Sequence, residues 1–229
     1  PYGNPAGRVF QEEQAANMEL IGKLNQLAAV EYPEDAALRA RINAYELAFR
    51  MQMSVPEVFD LKDESQATLD SYGEGYGRQL LAARRFVERG VRFVQVYHGG
   101  GGDPAGSWDA HTNLKKNHTK NCQAVDKPIA TLLKDLKQRG MLQDTLVVWA
   151  TEFGRTAGTE EQSGRDHHPF GFSCWLAGGG IRGGVVHGAT DELGILASEN
   201  PHYVTDIHAT ALHQLGLDSE HPKDYQLLY

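Results

Sequence analysis

"TLVVWATEFGRT" (Thr145–Thr156) places Leu146, Val147, Val148, Trp149 and Ala150 in one unbroken apolar run that leads into Glu152 and Arg155. Such a run has no polar face to offer water, so it predicts a short strand buried on both sides, the pattern of a parallel sheet. Upstream, "VRFVQVY" (Val91–Tyr97) is rich in β-branched and aromatic residues and predicts a second strand, ending at His98 and four glycines. Between the two, Asn117–Arg139 carries Ile129, Leu132, Leu133 and Leu136 on one helical face and stops at Gly140. Downstream, "SCWLAGGG" (Ser173–Gly180) predicts a third strand and "GVVHGAT" (Gly184–Thr190) a weaker fourth. "VTDIHATALHQLGL" (Val204–Leu217) predicts a capped helix beginning near Thr205 or Asp206. Strands alternating with helices imply an α/β fold: a largely parallel sheet with flanking helices and right-handed crossovers.

The first part of the chain reads differently. Arg8–Val30 and Glu34–Met51 show apolar residues every three or four positions, the helical period. "SVPEVFDL" (Ser54–Leu61) predicts a separate short helix, with Ser54 as its cap and Pro56 in its first turn. Gly73–Arg89 predicts an amphipathic helix that Gly90 terminates. The expected organisation is a helical region over residues 1–72, packed on an α/β domain over 73–229.

Composition narrows the function classes. With 229 residues, 41% hydrophobic and 23% charged, the chain is an ordinary globular one. Its formal net charge of −8 leaves no basic stripe for phosphate backbones, so nucleic acid is not an expected partner. No apolar run approaches the roughly 20 residues a bilayer span needs. Cys122 and Cys174 could pair or stay free, and are expected to be two ordinary buried thiols.

Ligands of open parallel sheets lie beyond the carboxyl ends of the strands, so the loops there carry the chemistry. The first, "HGGGGDPAGSWDAH", holds His98, Asp103, Asp109 and His111; the second holds Glu152 and Arg155; "GRDHHPF" adds Arg165, Asp166, His167 and His168. Asp109, His111, Glu152, Asp166, His167 and His168 form a mixed nitrogen–oxygen set that suits Zn²⁺, Mn²⁺ or Fe²⁺ better than Ca²⁺. Arg155 and Arg165 are candidate anion clamps, since guanidinium groups match phosphate or sulfate oxygens. His98, His187 and His208 are further candidates. Each residue also has a plainer role: Asp109 and His111 as solvated loop residues, Glu152 paired with Arg155, His168 bracing a turn before Pro169. The parallel sheet would bring Asp109, Glu152 and His168 to one edge. Neither a GxSxG elbow nor a Ser-His-Asp set is present, and nothing marks Ser107 or Thr112 as an activated nucleophile.

"YGRQLLAARRFVERGVRFVQVYHGG", "WDAH", "TLVVWATEFGRT", "GRDHHPFGFSCWLAGGGIRGGVVHGATDE" and "DIHATALHQLGLD" follow one another over Tyr76–Asp218. Together they resemble the DUF1501 family, a sulfatase-like group related to the alkaline phosphatase superfamily. That resemblance implies hydrolysis of phosphate or sulfate esters, on a small molecule or a glycan, at one or two metal ions. It places Glu152 and Phe153 where the superfamily has an Asp-His metal pair, so one ligand is kept in kind and the histidine is replaced. Asp109-Ala110-His111 resembles the Asp-x-x-x-His pair at shorter spacing, and the later histidine corresponds to His167 or His168. The resemblance also puts the nucleophile on a segment before Pro1, making this the C-terminal portion of a longer protein that alone hydrolyses esters poorly. It suggests a periplasmic or secreted location. The reading from a different class is a noncatalytic binding module that keeps the fold and a metal.

Overall fold

The structure, a computed structural model, describes residues 11–31, 35–99 and 108–217; Asp103 and Ser107 lie outside them. Two compact units divide the chain, one built from residues up to 66 together with 85–94, the other from 67–84 together with 95 onward.

In the first unit, α1 (Gln11–Glu31) is followed by α2 (Ala36–Phe59). Asp35 caps α2, its carboxylate accepting from the Leu38 amide at 2.8 Å. The separate helix expected to start at Ser54 does not form. Instead α2 continues through Ser54 and takes Pro56 into its last turn. The Arg85 guanidinium finishes it, donating to the carbonyls of Glu57, Val58 and Asp60 at 2.8, 2.8 and 2.7 Å. Those are carbonyls that a helix end leaves without partners, and a cation there also suits the helix dipole. Arg85 also pairs with Glu64 at 2.6 Å.

The helix expected over Gly73–Arg89 begins only at Tyr76, giving α3 (Gln66–Tyr72) and α4 (Tyr76–Glu88). Gly90 stops α4 as expected, at φ +82°, with its amide on the Val87 carbonyl and that of Val91 on Phe86.

In the second unit, α5 (Leu114–Gln138) buries Val125, Leu132 and Leu136 along one stripe. Ile129 and Leu133 flank that stripe, half-buried. Asp135 ties α5 to the residues before it, accepting from Tyr72 Oη at 2.9 Å and lying 3.1 Å from Arg84 Nε. Burial and the Asp135 charge both hold the Tyr72 phenol well above its ordinary pKa. Gly140 follows α5 at φ +72°.

The largely parallel sheet is not formed. Among the described residues the strands make three two-stranded antiparallel sheets. In the first, β1 (Val147–Trp149) pairs with β4 (Trp175–Ala177); in the second, β2 (Gly154–Arg155) pairs with β3 (His167–His168); in the third, β5 (Ala189–Thr190) pairs with β6 (Ala197–Glu199). A parallel return needs a crossover of a dozen residues or more, usually a helix. The stretch between β1 and β4 carries the β2–β3 hairpin instead, so the chain comes back in the opposite direction. β1 is also not covered on both faces: Val148 and Trp149 remain 40% and 37% exposed. The Trp149 and Trp175 rings, directly opposite in register, lie parallel with centroids 6.5 Å apart. Val91–Tyr97 forms no strand, and Phe93 and Tyr97 are 76% and 75% exposed. Alternating aliphatic and aromatic residues suit a pleated surface, but they become a strand only where a neighbour supplies ladder bonds.

The final helix, α6 (Val204–Gln214), begins one residue before the expected Thr205; the Asp206 carboxylate accepts from the Tyr203 amide at 2.9 Å. Cys122 and Cys174 are free thiols but not the buried ones expected: Cys122 is exposed and Cys174 half-buried. No described helix is long and apolar enough to cross a membrane.

Candidate metal centre

β2 and β3 decide which side chains meet. Their register sets Arg155 opposite His167 and Gly154 opposite His168. Successive residues of a strand point to opposite faces, so His167 shares a face with Arg155 while His168 is turned away. The loop before α5 runs beside this face. Arg165 donates its amide to the Ala110 carbonyl at 3.2 Å, and Leu114 donates to the Ser163 carbonyl at 3.1 Å. Ser163 Oγ receives the Asn113 amide at 3.0 Å.

Gly164 makes this approach feasible. A Cβ built on it would fall 1.6 Å from the His111 carbonyl oxygen. Ahead of it Glu161 and Gln162 turn at φ +42° and +68°, closed by the paired backbone of Glu160 and Gly164. Gly164→Ala should therefore push His111 out of place and remove metal binding at the group described next. Unchanged binding and an unchanged melting temperature would show that the segments part without cost.

Three nitrogens converge on Asp109 Oδ1: Arg155 Nη2 at 2.9 Å, His167 Nε2 at 3.0 Å and His111 Nε2 at 3.1 Å. Hydrogen bonds from His167 and Arg155 pull the Asp109 carboxyl down to about 2. His111 turns its other nitrogen to Glu160, with Nδ1–Oε2 at 2.6 Å and Asp166 Oδ1 at 3.9 Å. The Glu160 hydrogen bond, with the Asp109 charge, raises the pKa of His111. Two candidate ligand groups result, Asp109–His111–His167 and His111–Glu160–Asp166, with His111 common to both. Phe153 lies against the His167 ring, centroids 4.2 Å apart.

The hairpin and the loop before α5 thus gather Asp109, His111, Asp166 and His167. Glu152 lies outside both groups, its carboxylate accepting from Thr151 Oγ1 at 3.0 Å. His168 donates to the Ile195 carbonyl at 2.6 Å. Asp109, Glu152 and His168 therefore do not share a sheet edge, because that edge is absent. Arg155 directs its guanidinium at protein acceptors: Asp109, the Trp108 carbonyl at 3.2 Å and the Arg165 carbonyl at 3.1 Å. Arg165 bonds the carbonyl of Gly164 at 2.8 Å. His98 accepts from Trp108 Nε1 at 2.9 Å, with Tyr76 across its ring. His187 pairs with His202, and His208 is exposed on α6.

Glu160 is the member that sequence reasoning passed over. Its signal was weak, since consecutive acids in "TEEQSG" read equally well as a solvated turn.

The donor set tests well for a transition metal. Two imidazole nitrogens and one carboxylate oxygen match the ligand types of catalytic zinc and of mixed-ligand manganese or iron sites. A scaffold of helices and short hairpins presenting such a group defines a candidate metal-site protein. The chain belongs to the DUF1501 family, described as "Protein of unknown function (DUF1501)", whose model matches residues 1–224. Comparison with curated proteins and with solved structures returned no match.

Proposed function

We propose that this chain holds one divalent metal, Zn²⁺ or Mn²⁺ (Fe²⁺ as a further choice), on Asp109, His111 and His167, and that the site serves hydrolysis of phosphate or sulfate esters. The observation that carries the reading is the convergence of two imidazole nitrogens on a single Asp109 oxygen, drawn from two separate segments. The family resemblance supplies the ester chemistry and the small-molecule or glycan substrate. A bound metal supplies Lewis acidity toward a phosphoryl or sulfuryl oxygen. The residues do the rest. Arg155 fixes the Asp109 carboxylate, and Glu160 holds His111 from behind, in the way outer carboxylates orient ligating histidines. Phe153 limits the His167 ring to one side.

The second reading, a binding module without turnover, is favoured by Phe153 standing where the resemblance has a histidine. Assays on p-nitrophenyl phosphate and p-nitrophenyl sulfate with added Zn²⁺ or Mn²⁺ separate the two. The expected result is low, metal-dependent turnover that Asp109→Ala abolishes and Glu152→Gln leaves intact. Stoichiometric metal with no turnover on either ester would establish the binding module instead.

A further inference from the structure

The β5–β6 hairpin assembles a second cluster that the ester-hydrolysis reading does not use. His187 precedes β5 and His202 follows β6. The register Ala189↔Glu199 brings these flanks together. Gly188, at φ +78°, lets the strands close in: a Cβ there would lie 3.0 Å from the Glu199 carbonyl and 3.2 Å from that of Asn200. The outcome is that His187 Nε2 and His202 Nε2 face each other at 2.8 Å. Asp206 Oδ2 sits 3.2 Å from His202 Nδ1 and is itself held by the Tyr203 amide at 2.9 Å.

We propose that His187 and His202 form a surface site for a divalent transition metal, bound through both Nε2 atoms, with Asp206 as the carboxylate that orients His202. An acceptor at Nδ1 puts the proton of neutral His202 on that nitrogen and leaves the Nε2 lone pair directed at His187. This is the arrangement in which an outer carboxylate fixes the tautomer and raises the basicity of a ligating imidazole. A tetrahedral ion with bonds of 2.0–2.1 Å needs its nitrogens about 3.3 Å apart. The rings must therefore open by roughly half an ångström, and both are exposed and free to do so. Imidazole donors select Zn²⁺, Cu²⁺ or Ni²⁺ over Mg²⁺ and Ca²⁺, and solvent completes the coordination. The two nitrogens come from opposite ends of one hairpin, so occupancy clips β5, β6 and the start of α6 together.

The experiment is calorimetric titration of the full chain with Zn²⁺ and, separately, Mg²⁺. It uses Asp109→Ala/His111→Ala as background, which breaks both groups that share His111, so the outcome is independent of the centre proposed for ester hydrolysis. One equivalent of Zn²⁺ is expected there, and no Mg²⁺. His187→Ala and His202→Ala should each remove that equivalent, and Asp206→Asn should weaken it about 10-fold. Circular dichroism on the variants confirms that helix content is kept. If the background protein takes up no Zn²⁺, or if His187→Ala retains the full equivalent, the site does not exist.

Discussion

Zn²⁺ affinity at the Asp109 centre should collapse in Asp109→Ala and in His167→Ala. Measured in a His187→Ala background, so that the hairpin pair does not contribute, each loss should exceed the roughly 10–100-fold that outer partners cost. Asp109 Oδ1 is the point on which both imidazoles and Arg155 converge, so its removal deletes one ligand and the anchor of the other two. Glu152→Gln should leave affinity unchanged, since Glu152 lies outside the group. Binding should also release protons. Both nitrogens of His111 face carboxylates, Asp109 on one side and Glu160 on the other, which favours the imidazolium. A metal must displace the Nε2 proton, so affinity should climb as pH rises through the elevated pKa of His111 and level off above it. Calorimetry in buffers of different ionisation enthalpy reads that proton directly. Equal affinity for wild type and Asp109→Ala would dismiss the centre.

The second large effect is structural. The Arg85 and Glu64 side chains are 5% and 6% exposed, and Arg85 also serves three carbonyls at the end of α2. Arg85→Ala strips a buried carboxylate of this cation and those carbonyls of their donor, a loss worth about 3–5 kcal/mol for a broken buried pair. Urea unfolding should show a correspondingly lower midpoint. Replacing both partners together, as Arg85→Met with Glu64→Leu, should cost less than the sum of the single changes, because no charge is then left buried. A single-variant cost below about 1 kcal/mol would mean that water replaces the guanidinium.

Much of what matters here was local and therefore readable along the chain. Gly90 and Gly140 end their helices because left-handed φ values are cheap only without a Cβ, and a glycine after a helical period announces that. The stripe on α5 was visible in Leu132 and Leu136, and membership of DUF1501 in motifs that keep their order. Asp109, His111, Asp166 and His167 were recognisable as metal-type residues from their chemistry and their loops.

Pairing, direction and facing were decided only in three dimensions. An apolar run such as Leu146–Ala150 states that a strand wants cover, yet it contains nothing about which partner arrives or from which end. Here a hairpin took the place of a crossover helix, and β4 came back antiparallel. The same holds within the site. "HHPF" offers two equivalent imidazoles, and only the register of β3 against β2 turns His167 toward Asp109 and His168 toward Ile195. Glu160 joined through a turn of left-handed residues that composition does not announce. Residue chemistry and backbone preference are properties of a short window, whereas register is a property of two segments at once; that is why the candidate ligand types were written in the sequence and their grouping was chosen by the fold.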